Sequence, residues 1–385
     1  MVTSNSLRLF NAEEPSWLEY LARVRHDFFH TAEYHSLAQI KEGGRAWLAV
    51  YGDADKFVAW PYLLQEIKID ASARGFCDAT CVYGYSGPLT HNCSEDKEFL
   101  TRMWAALVES WRSQRVVSVF SRFHPVLQNQ QWVSACTGHN TLGVQGGLYA
   151  QGCIVAVPLA GPPADPWKGY KPHLRRDLNR CMRGALLSTP DPEWANLDEF
   201  IRLYHLTMAR NHASQFYFFD RKYFQALRQR LGTHGSLMIT RLGEHIAAAA
   251  LLIEYSGIVH LHLLASDDRF ANLSPSKLTI HDAANWARLR GNQLLVLGGG
   301  RAARDDDSLF RFKARFSETH YPFCTGRWIL DRSTYQFLAE QRGKRDNDLT
   351  ADQYFPAYRV PMAEKELPPP SRVKSEDEVL KVALG

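Results

Sequence analysis

The stretch LVLGGGRAARDDDSLFRFKARFS, residues 295 to 317, concentrates more chemically capable side chains than any other part of the sequence. It begins as an apolar strand and ends in three glycines. Gly299 and Gly300 let a backbone approach a ligand closely, and amides exposed in such a turn can hold an anion. Further on, Phe312, Lys313 and Phe316 set a cation among aromatic rings. The ordinary role for such a lysine is to lie over two core phenylalanines with its ammonium in water. Asp305, Asp306 and Asp307 stand between the two features; they suit either proton acceptance or the cap of a helix beginning at Ser308. GGGRAA does not fit the dinucleotide fingerprint, because the third glycine and the βαβ context are missing.

A second group of cations lies in HLRRDLNRCMRGA. Pro172 is placed for the first turn of a helix. At 3.6 residues per turn Leu174, Leu178, Cys181 and Met182 share one face, and Arg176, Arg180 and Arg183 share the other. Lys168, Lys171 and Arg175 add charge, and Asp177 is the single acid among these six cations. Such a field either contacts phosphate or is a solvated helix face. Ser276 and Lys277, at the start of another expected helix, offer a further phosphate contact. His260 and His262 alternate along an expected strand and so face one side, where they suit either proton acceptance from an attacking amine or a hydrogen-bonded wall of the sheet. A metal there needs a third ligand that the sequence does not reveal. No nucleophile elbow of the GxSxG type is present.

These residues need a scaffold, and the order of elements supplies one twice. Trp17 to Arg25 and Ala32 to Ile40 read as helices, followed by RAWLAVYGDADKFVAWPYLLQEI, a hairpin pattern. Leu197 to Ala209 and Arg221 to Leu231 read as helices in the same way, followed by SLMITRLGEHIAAAALLIEYSGIVHLHLLAS, three apolar runs split by turns. A helix from Pro275 to about Gly291 then returns to the strand NQLLVLGGG. The expected class is α+β, with tandem mixed-sheet units duplicated from one plan and flanked by helices. The proline-rich AGPPADPWKGYKP marks the junction, giving an N-terminal domain over 1–160 and a C-terminal, catalytic one over 161–360. Residues 361–385, charged and rich in proline, read as a flexible tail.

Composition narrows the field. With 45 basic and 41 acidic residues in 385, the net charge of +4 does not make the whole molecule a polyanion binder. Seven scattered cysteines without a CxxC pair fit reduced thiols of a cytoplasmic protein. The N-terminus lacks a secretory pattern, and no apolar run approaches the roughly 20 residues of a membrane span.

Several motifs in one order carry a family resemblance. They are W-x(7)-R-R-D-L-x-R from Trp167 to Arg180, Ala247 to Ile253 after the Gly243-Glu244 turn, LSPSKLTIHDAANWARLRG, and LGGG…DSLFRFKARFS followed by GRWILDRSTYQFL. Tyr83 to Pro88 (YGYSGP, with Tyr85) and Phe355 to Arg359 add to the set. From Trp167 to Arg342 the chain resembles the FemAB-like acetyltransferase domain of the GNAT superfamily. The resemblance implies transfer of an acyl or aminoacyl group from a coenzyme A thioester or an aminoacyl-tRNA ester onto an amine, with no tightly bound cofactor. It implies that Phe312 and Lys313 lie at the reaction centre, where a cation neutralises the oxyanion formed by amine attack. Ala314 and Ser317 depart from the branch that acts on peptidoglycan precursors, so the acceptor stays open. The place of the usual pyrophosphate loop reads SDDRFANLSPSK, without glycine, which favours aminoacyl-tRNA as donor over acyl-CoA. A non-catalytic module reading RNA or a nucleotide through the basic helix is the competing class.

Overall fold

A computed structural model describes residues 6–69, 73–137, 141–161, 165–300, 307–344 and 353–360. The tail expected at 361–385 lies outside the described residues. The N-terminal half runs β1 (Leu7–Asn11), α1 (Pro15–Leu21), α2 (Ala32–Glu42), β2 (Arg45–Gly52), β3 (Phe57–Glu66), β4 (Cys77–Thr80), β5 (Leu89–His91), α3 (Lys97–Ser113), β6 (Val116–Arg122), α4 (Gln130–Cys136) and β7 (Gln145–Pro158). The C-terminal half runs α5 (Pro166–Gly169), α6 (Pro172–Arg183), β8 (Leu186–Asp191), α7 (Leu197–Arg210), α8 (Arg221–Leu231), β9 (Gly235–Leu242), β10 (His245–Tyr255), β11 (Ile258–Ser266), α9 (Pro275–Leu289), β12 (Leu294–Gly298), α10 (Ser308–Lys313), β13 (His320–Ile329) and α11 (Arg332–Gln341).

The expected hairpin forms with Gly52 at φ +111° and the Asp53 carboxylate accepting from the amides of Asp55 and Lys56. The duplicated order is visible in the sheet. β1 to β4 with β6 make one wing and β8 to β12 the other, and the strands join in one mixed sheet ordered β1-β2-β3-β4-β6-β13-β7-β12-β11-β10-β9-β8. The C-terminal strand β13 lies between β6 and β7, antiparallel to both.

Period-two alternation sorts β10 into two cores. Ala249, Leu251 and Ile253 face a core containing Leu203, Tyr204 and Phe224 of α7 and α8, and Ala250 and Leu252 face one containing Leu174, Leu178, Ala283 and Ala284 of α6 and α9. Every residue from Ala247 to Ile253 is fully buried, as a central strand covered on both faces requires. The first of these cores also takes in Trp17, Phe28, Phe29, Leu37, Leu48 and Phe57 of the N-terminal half, so both halves share it. Helices α2 and α8 meet there, and the turn Phe28–His30 is carried between the wings.

Candidate active site

The site grows from a parting of two strands. β11 and β12 pair in parallel from Ile258↔Leu294 to His260↔Val296 and no further. Each carries an extra residue at that point: Leu251 and Leu252 of β10 face Leu263 and Leu261, leaving His262 over, and Val296 and Gly298 face Ala156 and Val155 of β7, leaving Leu297 over. Bulges bend a strand and sharpen its twist. Two of them on neighbouring strands open a notch, with His260 at its apex and, on one arm, Gly298 at the end of β12 followed by Gly299 and Gly300.

Asp307 delivers the lysine to that notch. Its Oδ1 accepts from the amides of Leu309 and Phe310, both at 2.9 Å, which starts α10. Phe310 and Phe316 go into the core, Phe312 packs edge-on against Phe316 at 5.8 Å, and the short helix presents Lys313. The Lys313 ammonium donates to the Gly299 carbonyl at 2.7 Å. Burial pushes this amine down to about 8, against the opposing charge of Asp307. The lysine is therefore not a surface residue reaching for water. It is tethered by one N–H and keeps two for a ligand.

The glycines are required by what surrounds them. Gly298 has φ +78°, and a Cβ there would stand 3.3 Å from Lys313 Nζ and 3.8 Å from the Tyr85 hydroxyl. One at Gly300 would meet Asp307 Oδ1 at 2.5 Å. Tyr85, from the loop after β4, packs edge-on against Phe29 and Phe323 and lies 6.4 Å from the His124 ring. Burial raises its hydroxyl, while Arg122 and the Gly299 backbone pull it down. Gly298→Ala is expected to cost about 1–2 kcal/mol in backbone strain and to displace the ammonium, lowering turnover by at least about tenfold. A thermal melt and a rate on the same preparation check both.

The structure thus brings together Lys313, Phe312, Asp307, Gly299, Gly300 and Tyr85, from both halves. Asp305 lies outside the described residues. Asp307 acts as the helix cap, the ordinary alternative weighed for it.

The basic set forms a second group. Leu174, Leu178 and Cys181 are buried and seat α6 against α9, with Cys181 Sγ on the Leu273 carbonyl at 3.0 Å. Met182, expected on that apolar face, is 44% exposed; the buried stripe is narrower than the spacing alone suggested. Arg176, Arg180 and Arg183 are exposed, and Arg175 is half-buried. Lys171 is paired with Glu318 at 2.5 Å and Lys277 with Asp177 at 2.6 Å. Ser276 lies in the first turn of α9, after Ser274 in the left-handed conformation and Pro275. Of the residues expected to meet phosphate, Arg176 and Arg183 are exposed and make no ion pair with described residues.

Sequence reasoning singled out His260 but missed its partners, and it missed two further groups. Asp27 Oδ2 stands 2.7 Å from His124 Nε2 and 2.5 Å from His260 Nε2, with Asp27 and His124 fully buried. Burial would raise the Asp27 carboxyl, yet the two histidines hold it well below the usual carboxylate range. Separations of 97 and 233 residues leave no spacing signal. Beside Tyr83, the Glu42 carboxyl is pushed up to about 7 by burial, opposed by the Tyr83 amide, Arg122 and Lys41. The third group is an aromatic wall, in which Tyr83 meets Phe216, Tyr217, Phe219 and His262.

Asp27, His124 and His260 place three metal-type donor atoms within 4.8 Å of one another. Hydrogen bonding argues against a metal there. The Leu127 amide donates to His124 Nδ1 at 3.1 Å, so Nδ1 is bare and Nε2 carries the proton. A metal on Nε2 needs the proton on Nδ1, facing another N–H. The trio is a hydrogen-bonded set. A cavity of about 620 Å³ lined by Arg25, Lys97, Leu127 and Trp132 among others shares no residue with the Lys313 cluster.

Residues 171–314 match the family model described as an acetyltransferase (GNAT) domain. Over those residues the chain is similar to a GNAT acetyltransferase domain. The matched residues run from the basic helix through the notch to Lys313, so the matched segment contains the cluster's C-terminal members. Among solved structures the fold is similar to FemX, with TM-score 0.64 and 14% identity over 86% of this chain and 99% of that one. It is also similar to a conserved protein of unknown function from Bacteroides thetaiotaomicron, with TM-score 0.52 and 11% identity over 84% and 99%. At such identities the likeness is one of fold, and it runs through both halves around the GNAT domain. No curated protein matches the sequence. No helix among the described residues is long and apolar enough to cross a membrane.

Proposed function

We propose that this GNAT protein transfers an aminoacyl group from aminoacyl-tRNA to the amine of a small-molecule or cell-envelope precursor acceptor, with Lys313 stabilising the oxyanion. The observation that carries acyl transfer is the Lys313 ammonium, held by one bond to Gly299 at the mouth of the notch and half-buried. An acyl carbonyl there receives charge-assisted donors in a site that already excludes much of the water. The amine nitrogen attacks, the carbonyl pair moves to oxygen beside Lys313, and the ester or thioester bond breaks as the pair returns. An activated donor needs no covalent enzyme intermediate.

For the donor, the exposed arginines of α6 favour tRNA. They lie on the helix packed against α9, whose entry has Ser274 and Pro275 where a glycine loop would offer consecutive amides. Acyl-CoA is the alternative. For the acceptor, the neighbourhood of Glu42, Tyr83, Arg122 and Tyr217 supplies charge and aromatic faces beside Tyr85.

Incubation with radiolabelled aminoacyl-tRNA and, separately, labelled acetyl-CoA, with and without simple primary amines, tests this. Consumption of the tRNA ester supports the proposal, consumption of acetyl-CoA alone replaces the donor, and indifference to both removes the acyl-transfer reading. Reversing Arg176, Arg180 and Arg183 to Glu is expected to weaken tRNA binding by at least about tenfold and to flatten its salt dependence by up to about three phosphate contacts. Filter binding across a salt series checks this.

A further inference from the structure

We propose that His260 is the general base of this acyl transfer, taking the acceptor's proton on Nδ1, and that Asp27 of the N-terminal half is the residue that positions it. The inference rests on the acyl-transfer reading above.

The tautomer follows from hydrogen bonding. Asp27 stays ionised and can only accept, so the 2.5 Å contact places the His260 proton on Nε2 and leaves Nδ1 with its lone pair. Nδ1 has no hydrogen-bond partner among the described residues, and it is not among the sealed, unpartnered atoms that include His262 Nε2. The side chain keeps 5% exposure while its partners Asp27 and His124 keep none. His124 is fixed as an Nε2 donor by the Leu127 amide, and Asp27 Oδ1 accepts from the Phe28 amide at 2.7 Å. The carboxylate is thus locked from three directions, and the imidazole it holds is the one with an open nitrogen.

Position agrees. His260 faces Val296 at the last paired step before the notch opens. Gly298, beside Lys313 Nζ, is two residues further on. With about 4.8 Å between strands and 3.3 Å per residue, the two backbone positions are roughly 8 Å apart, a gap suited to a reacting centre between base and oxyanion donor. The Tyr85 ring, whose hydroxyl flanks Gly298, touches Phe29, and Phe29 touches His260 at 5.1 Å. Base and cation therefore stand at the two ends of one run of packed rings, His260, Phe29 and Tyr85.

In the step, the acceptor nitrogen forms the C–N bond while the carbonyl pair moves to oxygen beside Lys313. The nitrogen then gives a proton to His260 Nδ1. The oxygen pair returns, the bond to the leaving oxygen or sulfur breaks, and the imidazolium returns that proton to the leaving group. Amine and acyl donor give amide and protonated leaving group, in balance. The base is complete only when the two halves are together, since the carboxylate and the imidazole come from opposite halves.

The experiment uses the full chain and whichever of aminoacyl-tRNA or acetyl-CoA it consumes. His260→Gln keeps an N–H for Asp27 and loses the base; its turnover is expected to fall at least about 100-fold. His260→Ala should fall as far and recover at least tenfold with added imidazole, which a purely structural role would not give. Asp27→Asn should reproduce most of the loss. Nitrogen-15 NMR of the imidazoles, independent of any substrate, should show His260 protonated on Nε2 in the wild type and a mixed tautomer in Asp27→Asn. An active wild type with an unaffected His260→Gln, or His260→Ala that imidazole does not restore, overturns the proposal alone, as does an Nδ1 proton on His260. A wild type that consumes neither donor overturns the acyl-transfer reading beneath it.

Discussion

Lys313→Met is expected to lower turnover by two to three decades, about 3 kcal/mol of transition-state stabilisation, with a far smaller change in donor affinity. In the proposed reaction the lysine touches the place where negative charge appears, so its loss falls on the chemical step. Because its amine titrates near 8, the sign of the pH effect is fixed. The protonated form donates, so the wild-type rate should fall as pH rises through about 8, and this alkaline limb should vanish in the Met variant. Steady-state rates from pH 6 to 9.5 read both, alongside far-ultraviolet circular dichroism to show that the fold persists. A variant retaining more than a tenth of the rate would exclude the role.

Acidification should unfold the protein well before ordinary carboxylates titrate. His30 and His262 are pushed down to about 3 and His35 to about 4 by burial, and His124 is lowered for the same cause despite Asp27 beside it. Each is neutral when folded and protonates near 6.5 when unfolded. The unfolded chain therefore binds more protons below pH 6.5, and stability falls as pH drops from there toward 4. Each histidine contributes a slope of up to about 1.4 kcal/mol per pH unit. His35 offers the clean control. It lies against Trp17 at 5.1 Å, away from the notch, and its Nε2 is buried without a partner. His35→Phe should remove about one proton's worth of slope, read from urea midpoints at pH 7, 5.5 and 4.5.

The parts of this site that were legible in the sequence are those written locally. Pro172, Asp307 and Pro275 start helices where helix-entry chemistry says they should, and the expected spans over 197–209 and 221–231 agree within a residue with α7 and α8. Lys313 and the glycines stand 14 residues apart in one motif, and the structure joins them. What periodicity could not give was the company they keep. Asp27, His124 and Tyr85 reach the notch only because both halves bury side chains in one core, and a contact across 233 residues leaves no trace in local spacing. The notch itself depends on one surplus residue in each of two strands, and HLHLL reads as unbroken alternation until its partners are known. The arginines of α6 share the exposed face that helical spacing predicts, yet the pairing of Lys171 with Glu318 across 147 residues leaves no local signal.

The position of β13 constrains how the protein is made. Among the described strands β6 and β7 are joined in the sheet through it alone, so on the ribosome the early part of the nascent chain waits with two open strand edges until residue 329 has been synthesised and released. During that interval those edges are free to pair with other chains. Production of this protein should therefore be sensitive to translation speed and to chaperone supply, and premature termination anywhere before that strand should yield aggregate rather than a smaller working enzyme.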